Sequence, residues 1–166
     1  TPTEDLFYVK QASLYVHNGS DTYTSYLWAD VPGLQKFGSY TGNGSITTGT
    51  FVETGFKPAL LWVKRSESGG AYSSWAIYDS TRSTFNDIGT SSFNFPLWIN
   101  RDAQESKRGN GSDAASGAEN IINFFSNGFM ALGSGAELNV SGEEYIYMAW
   151  AEAPASNLFG GQSNAR

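Results

Sequence analysis

The chain has 166 residues, 40% of them hydrophobic and 15% aromatic, which allows one full domain with a real core plus a fragment of another. Its formal net charge of −6 and pI near 4.6 exclude a broad basic patch and argue against binding to a phosphate backbone. With no cysteine it can build neither a disulfide framework nor a thiolate metal site, and no apolar run approaches the length of a membrane span.

Nineteen glycines beside nine Tyr, eleven Phe and five Trp predict many short strands joined by turns. In chain order, residues 6–16 and 23–30 suit a pair of strands around the turn-rich run His17-Asn18-Gly19-Ser20, and Val31-Pro32-Gly33 closes that unit. A short strand over residues 36–41, KFGSYT, leads into the turn Gly42-Asn43-Gly44. Strands over 50–52 and 60–65 follow, separated by Gly55 and Lys57-Pro58. The second, LLWVKR, is apolar up to its basic end, as a strand covered on both faces would be. After a Gly/Ser loop at 66–74, residues 75–79 resume a strand, and 80–92 are polar and irregular.

Residues 93–100, FNFPLWIN, alternate. Phe93, Phe95, Leu97 and Ile99 share one face, with Asn94, Pro96 and Trp98 on the other. Pro96 has no N–H for a ladder, so this strand belongs at a sheet edge. Residues 101–119 read as a long solvated loop. A hairpin is then expected from residues 121–125, a two-residue Asn127-Gly128 turn and residues 129–132. Leu138–Val140 and Ser141-Gly142 lead to the strongest strand of all, in residues 143–154, EEYIYMAWAEAP. No segment sustains a 3.6-residue period. The class expected is all-β, a two-sheet antiparallel β-sandwich of jelly-roll or lectin-like type.

The strongest strand occurs twice. Residues 21–32, DTYTSYLWADVP, superpose on it with a shift of 122, which lays Tyr23 on Tyr145, Trp28 on Trp150, Ala29 on Ala151, Asp30 on Glu152 and Pro32 on Pro154. The same shift puts Phe7 on Phe129 and Val16 on Leu138. Residues 1–33 therefore read as the C-terminal half of a preceding unit, 34–154 as a complete repeat domain, and 155–166 as a small polar tail. The half-unit and the absence of an initial Met point to a piece of a longer protein.

Chemistry-bearing constellations are few. His17 is the single histidine and stands in a turn, so a transition-metal site is not expected, and the Asp residues lack EF-hand spacing for calcium. No Gly-x-Ser-x-Gly elbow or P-loop is present, and Glu143-Glu144 are adjacent, so on a strand they face opposite ways rather than forming an acid/base pair. The cluster that could bind a ligand is Trp75, Tyr78, Asp79 and Arg82: an aromatic stacking face beside hydrogen-bonding charges, suited to a sugar. The competing reading makes Asp79 and Arg82 a turn clamp, or pairs Asp79 with Lys64 or Arg65. The surplus of Trp, above all Trp62 and Trp98, suits an interface between subunits.

The runs VPGLQKFGSYTGNGS, FVETGFKPALLWVKR, WAIYDSTRSTFN, NGF and NVSGEEYIYMAWAEAP together resemble a repeated domain found in tail-fibre and virion structural proteins of tailed bacteriophages, notably marine and cyanobacterial ones. The likeness covers nearly all of residues 31–154, and SNLFGGQSNAR is similar to the Arg-terminated tails of such chains. It implies a β-rich module of a virion appendage, often present in more than one copy, in a homo-oligomer that phage fibres commonly build as a trimer. Other virion proteins and host-surface polysaccharide are the implied partners, with no cofactor, nucleic acid or membrane. The resemblance brings no catalytic motif and no binding residues. The expectation is a non-enzymatic module; a free-standing carbohydrate-binding module and a polysaccharide-cleaving domain are the alternatives.

Overall fold

A computed structural model describes residues 22–66, 74–82, 86, 96–100 and 120–152. Eight strands run through them: β1 Gln35–Thr41, β2 Thr50–Glu53, β3 Pro58–Arg65, β4 Ala76–Asp79, β5 Leu97–Trp98, β6 Ile121–Phe125, β7 Gly128–Leu132 and β8 Glu144–Ala151. They form a five-stranded sheet in the order β1-β8-β3-β4-β5 and a three-stranded sheet in the order β2-β7-β6. Every pairing is antiparallel. The described residues contain no helix, so the expected all-β, two-sheet class is what the chain adopts.

β8 lies inside the large sheet, between β1 and β3, as its aromatic, β-branched composition requires. Its inward set, Tyr145, Tyr147 and Ala149, meets the inward side chains of the facing sheet. Tyr40 stacks on Tyr145, with centroids 5.2 Å apart, and Phe129 of β7 packs edge-on against both Tyr40 (5.9 Å) and Tyr147 (5.4 Å). Those rings tie the sheets together, with Val52, Leu61, Val63, Ile122 and Phe124 filling the space around them. Full burial of each large apolar side chain stabilises by about 1.5–3 kcal/mol.

The buried hydroxyls find local partners. Tyr40 donates to the Leu138 carbonyl (2.7 Å), and Tyr145 donates to the Ala136 carbonyl (3.0 Å) while accepting from the Val140 N–H (2.9 Å). The turn over residues 136–139 is thereby held against the core.

Three local expectations need correction. The hairpin turn is Ser126-Asn127, one residue earlier than Asn127-Gly128, because Phe125 pairs with Gly128 inside the ladder. Gly128 is a strand residue for want of space: a Cβ there would stand 2.2 Å from the Val52 carbonyl oxygen on neighbouring β2. Residues 23–30, expected to be a strand, belong to none of the described strands; the place between β1 and β3 is taken by β8. The remainder of the half-unit, including Phe7, Val16 and His17, and the expected 101–119 loop and 155–166 tail lie outside the described residues.

The third correction concerns β5. It stands at the sheet edge and keeps the expected alternation, but Trp98, expected at a subunit interface, is turned into the core of its own chain. Trp98 is 7% exposed and belongs to the core, while Leu97 (41%) and Ile99 (47%) face outward. The register explains it: Trp98 stands opposite Ala76, whose small side chain leaves room for an indole, and Leu97 stands opposite Ile77.

Candidate interaction face

Because directly opposed residues project from the same side of a sheet, the pairing register defines the outer face of the large sheet. One row reads Gln35, Trp150, Leu60, Asp79; the next reads Phe37, Met148, Trp62, Ile77, Leu97; a third reads Ser39, Ile146, Lys64. The middle row takes one apolar side chain from each of five strands. A solvated sheet face would alternate to polar residues here.

Along this face the rings form a chain of edge contacts. Phe37 meets Trp150 (centroids 6.0 Å, 87°), Trp150 meets Trp62 (5.5 Å, 68°), and Trp62 meets Trp75 (6.4 Å, 67°). These side chains are half-buried, with Leu97 and Ile146 at 41% and 37% exposure. The Trp62 indole N–H is buried without a hydrogen-bond partner, a cost of about 1–3 kcal/mol that a bound acceptor would relieve. Trp75 is set in place by its own backbone: its N–H donates to Asn100 Oδ1 (2.9 Å) and its carbonyl accepts from the Ile99 N–H (3.3 Å).

Of the ligand cluster expected from sequence, the fold separates the members. Tyr78 is fully buried in the core, opposite Leu61, and its hydroxyl has no hydrogen-bond partner, so it cannot stack on a sugar. Burial, then the negative potential of Glu137 and of Tyr145, pushes its pKa well up. The reason is the two-residue period of β4, which turns Ala76 and Tyr78 inward while Ile77 and Asp79 face out. Trp75 and Asp79 are four residues apart along this strand, roughly 13 Å.

Asp79 and Arg82 do clamp the turn. Asp79 Oδ1 accepts from the Arg82 N–H (2.7 Å) and the Thr81 N–H (3.1 Å), and Oδ2 pairs with the Arg82 guanidinium. Partial burial alone would raise the Asp79 pKa, but these bonds and the guanidinium charge hold it below the usual carboxylate value. The alternative partner Arg65 is engaged elsewhere, bidentate to Glu143 at 2.6 and 3.2 Å.

Of the interface pair, Trp62 lies at the centre of the outer face and Trp98 does not, being core. Sequence reasoning missed Trp150, Phe37 and Met148. Their signal was present: both alternation sets of EYIYMAWA are apolar, which marks a strand with two covered faces. A separate cleft of about 250 Å³ lies where the chain enters β1, lined by Asp30, Gly33, Gln35, Lys36, Thr54 and Gly55. Among the described residues no three His, Cys, Asp or Glu side chains gather as a metal site.

The model of one family, the domain of unknown function DUF7483, matches residues 1–154. The chain belongs to the DUF7483 family. That match takes in both the 21–32 run and its 143–154 echo within a single family model. No curated protein and no solved structure matches the chain. For a DUF7483 domain the functional reading therefore rests on the face itself and on the resemblance drawn from its sequence.

Proposed function

We propose that this DUF7483 domain is a non-enzymatic, homo-oligomeric module of a bacteriophage tail fibre or related virion appendage, and that it assembles through the outer face of its five-stranded sheet. The observation that carries the assembly role is the row Phe37, Met148, Trp62, Ile77, Leu97, contributed by all five strands. Covering such a row with protein stabilises by ~25 cal/mol per Å² of apolar surface removed from water. A glycan site needs convergent hydrogen-bonding groups beside its stacking rings, whereas the polar members of the flanking rows, Gln35, Asp79, Ser39 and Lys64, are spread over three strands at the ends of those rows. The virion setting and the trimeric state rest on the sequence resemblance.

The second reading, host-glycan binding, is favoured by one observation: Trp75 and Asp79 lie on this same face, with Arg82 clamped to Asp79 at its border. The two readings separate in one experiment. Light scattering after gel filtration should give a trimer for the purified chain and a monomer for Trp62→Arg. A monomeric wild-type chain removes the assembly role. Binding to host cells that Trp75→Ala and Arg82→Ala both abolish, with the oligomer intact, would move the face to glycan recognition.

A further inference from the structure

Residues 22–30 have the sequence of a strand and the structure of none. Tyr26, Leu27 and Trp28 are 75%, 70% and 58% exposed, and no ladder includes them. The joint to β1 is nevertheless fixed. Gln35 Nε2 donates to the Ala29 carbonyl (2.7 Å), the Phe37 N–H donates to Asp30 Oδ1 (2.8 Å), and Val31 and Gln35 exchange backbone bonds of 3.0 Å. The segment is thus held at its base, and Tyr26 and Trp28 stack on one another along it (centroids 6.3 Å).

Its residues repeat those of β8. Tyr23, Trp28 and Ala29 are identical to Tyr145, Trp150 and Ala151, and Asp30 stands for Glu152. β8 owes its place to two neighbours, β1 and β3. The inward positions, however, differ in size order. β8 carries Tyr145, Tyr147, Ala149; the echo carries Tyr23, Ser25, Leu27.

That difference decides which slot the echo fits. Tyr147 stands opposite Gly38 and Val63, and a Cβ on Gly38 would come to 3.0 Å from the Tyr147 ring and hydroxyl. Ala149 is fully buried opposite Leu61. In this slot the echo would leave a void over Gly38, where Ser25 replaces a tyrosine, and would crowd Leu61 with Leu27. Both faults destabilise a packed core.

We propose that residues 22–30 are the closing strand of a second sheet of this same fold, seated between the β1-type and β3-type strands of a partner copy. The partner is a variant copy, with a side chain at the position of Gly38 and a smaller residue at the position of Leu61. Trp28 then takes the outward place that Trp150 holds here, so the partner's outer face carries a tryptophan as well. This inference is independent of the virion setting.

The test is a graft in the full chain: residues 143–152 replaced by the sequence of residues 21–30, alone and together with Gly38→Val and Leu61→Ala. Urea midpoints and near-UV circular dichroism are read for each. The graft alone should lose at least half of the wild-type midpoint or fail to fold. Adding the two substitutions should recover at least half of that loss, although the same pair lowers the midpoint of the wild-type chain. A compensated graft that recovers less overturns the strand assignment. An uncompensated graft as stable as wild type overturns the variant-partner claim.

Discussion

Gly42 lies so close beneath Val140 that a Cβ on it would stand 2.3 Å from the Val140 carbonyl oxygen. The approach is fastened on both sides, by the Gly42 N–H to the Glu143 carbonyl (2.8 Å) and the Gly142 N–H to the Gly42 carbonyl (2.9 Å). Backbone atoms make the clash, so no rotamer relieves it. Gly42→Ala should destabilise by about 2–3 kcal/mol, measured as a lower urea midpoint with an unchanged slope.

Asn139, fully buried, locks the same junction. Its Nδ2 donates to the Gly133 carbonyl (2.9 Å) and Asn43 Oδ1 (3.0 Å), and its Oδ1 accepts from the Asn43 N–H (3.1 Å) and Thr50 Oγ1 (3.2 Å). Asn139→Leu keeps the branched shape, though with greater bulk, and strands those groups. A loss of roughly 3 kcal/mol or more is expected, and hydrogen exchange should quicken first at the Asn43 and Gly44 amides.

The two tryptophans first paired as interface residues should now part company. Trp98→Ala opens a core cavity and should lower stability by roughly 3–5 kcal/mol. Trp62→Ala removes a half-buried ring from the outer face. Its cost in the isolated chain should be smaller, and its main effect should appear in the mass measured by light scattering.

Two pH responses follow from the surroundings of Asp79 and of the buried tyrosines. The Asp79 pKa is lowered in the folded chain, so its contribution is present above the ordinary carboxylate value of about 4 and is lost as pH falls through the lower folded value. The stability gap in urea between wild type and Asp79→Asn, at most about 1 kcal/mol for so accessible a pair, should hold from neutral pH down to about 4 and narrow as pH falls further, through the lowered folded value. Tyr40 and Tyr78 shift the other way: desolvation first, then neighbouring negative potential, raises both well above the usual phenol value. Their contribution is complete below pH ~10 and is lost as pH rises towards the folded values. Tyrosinate absorbance should therefore appear together with unfolding in alkali.

The strand pattern was legible wherever one face alternated or one Gly or Pro punctuated the chain, as in β1, β3, β4 and β8. Three features needed the third dimension. Which side of β5 faces inward depends on Ala76, a residue 22 positions away on another strand. The one-residue shift of the 126–127 turn depends on how near β2 passes to Gly128. The outer aromatic face is assembled from rows across five strands, and a row has no signature along any one of them. Trp75 and Asp79 could be placed on one side of β4 by parity, but the expected cluster failed because Tyr78, one residue from Asp79, takes the opposite face.

The position of β8 also sets the order in which the molecule is built. β8 follows β1 by about a hundred residues in the chain, yet it alone joins β1 to β3. Until residues 144–151 arrive, the large sheet exists only as separate pieces, each with an open edge that can pair with another chain. Contacts of such long sequence separation slow the search for the native state. A nascent chain on the ribosome gains its main sheet only after β8 has been synthesised, and refolding from denaturant should be correspondingly slow and sensitive to protein concentration.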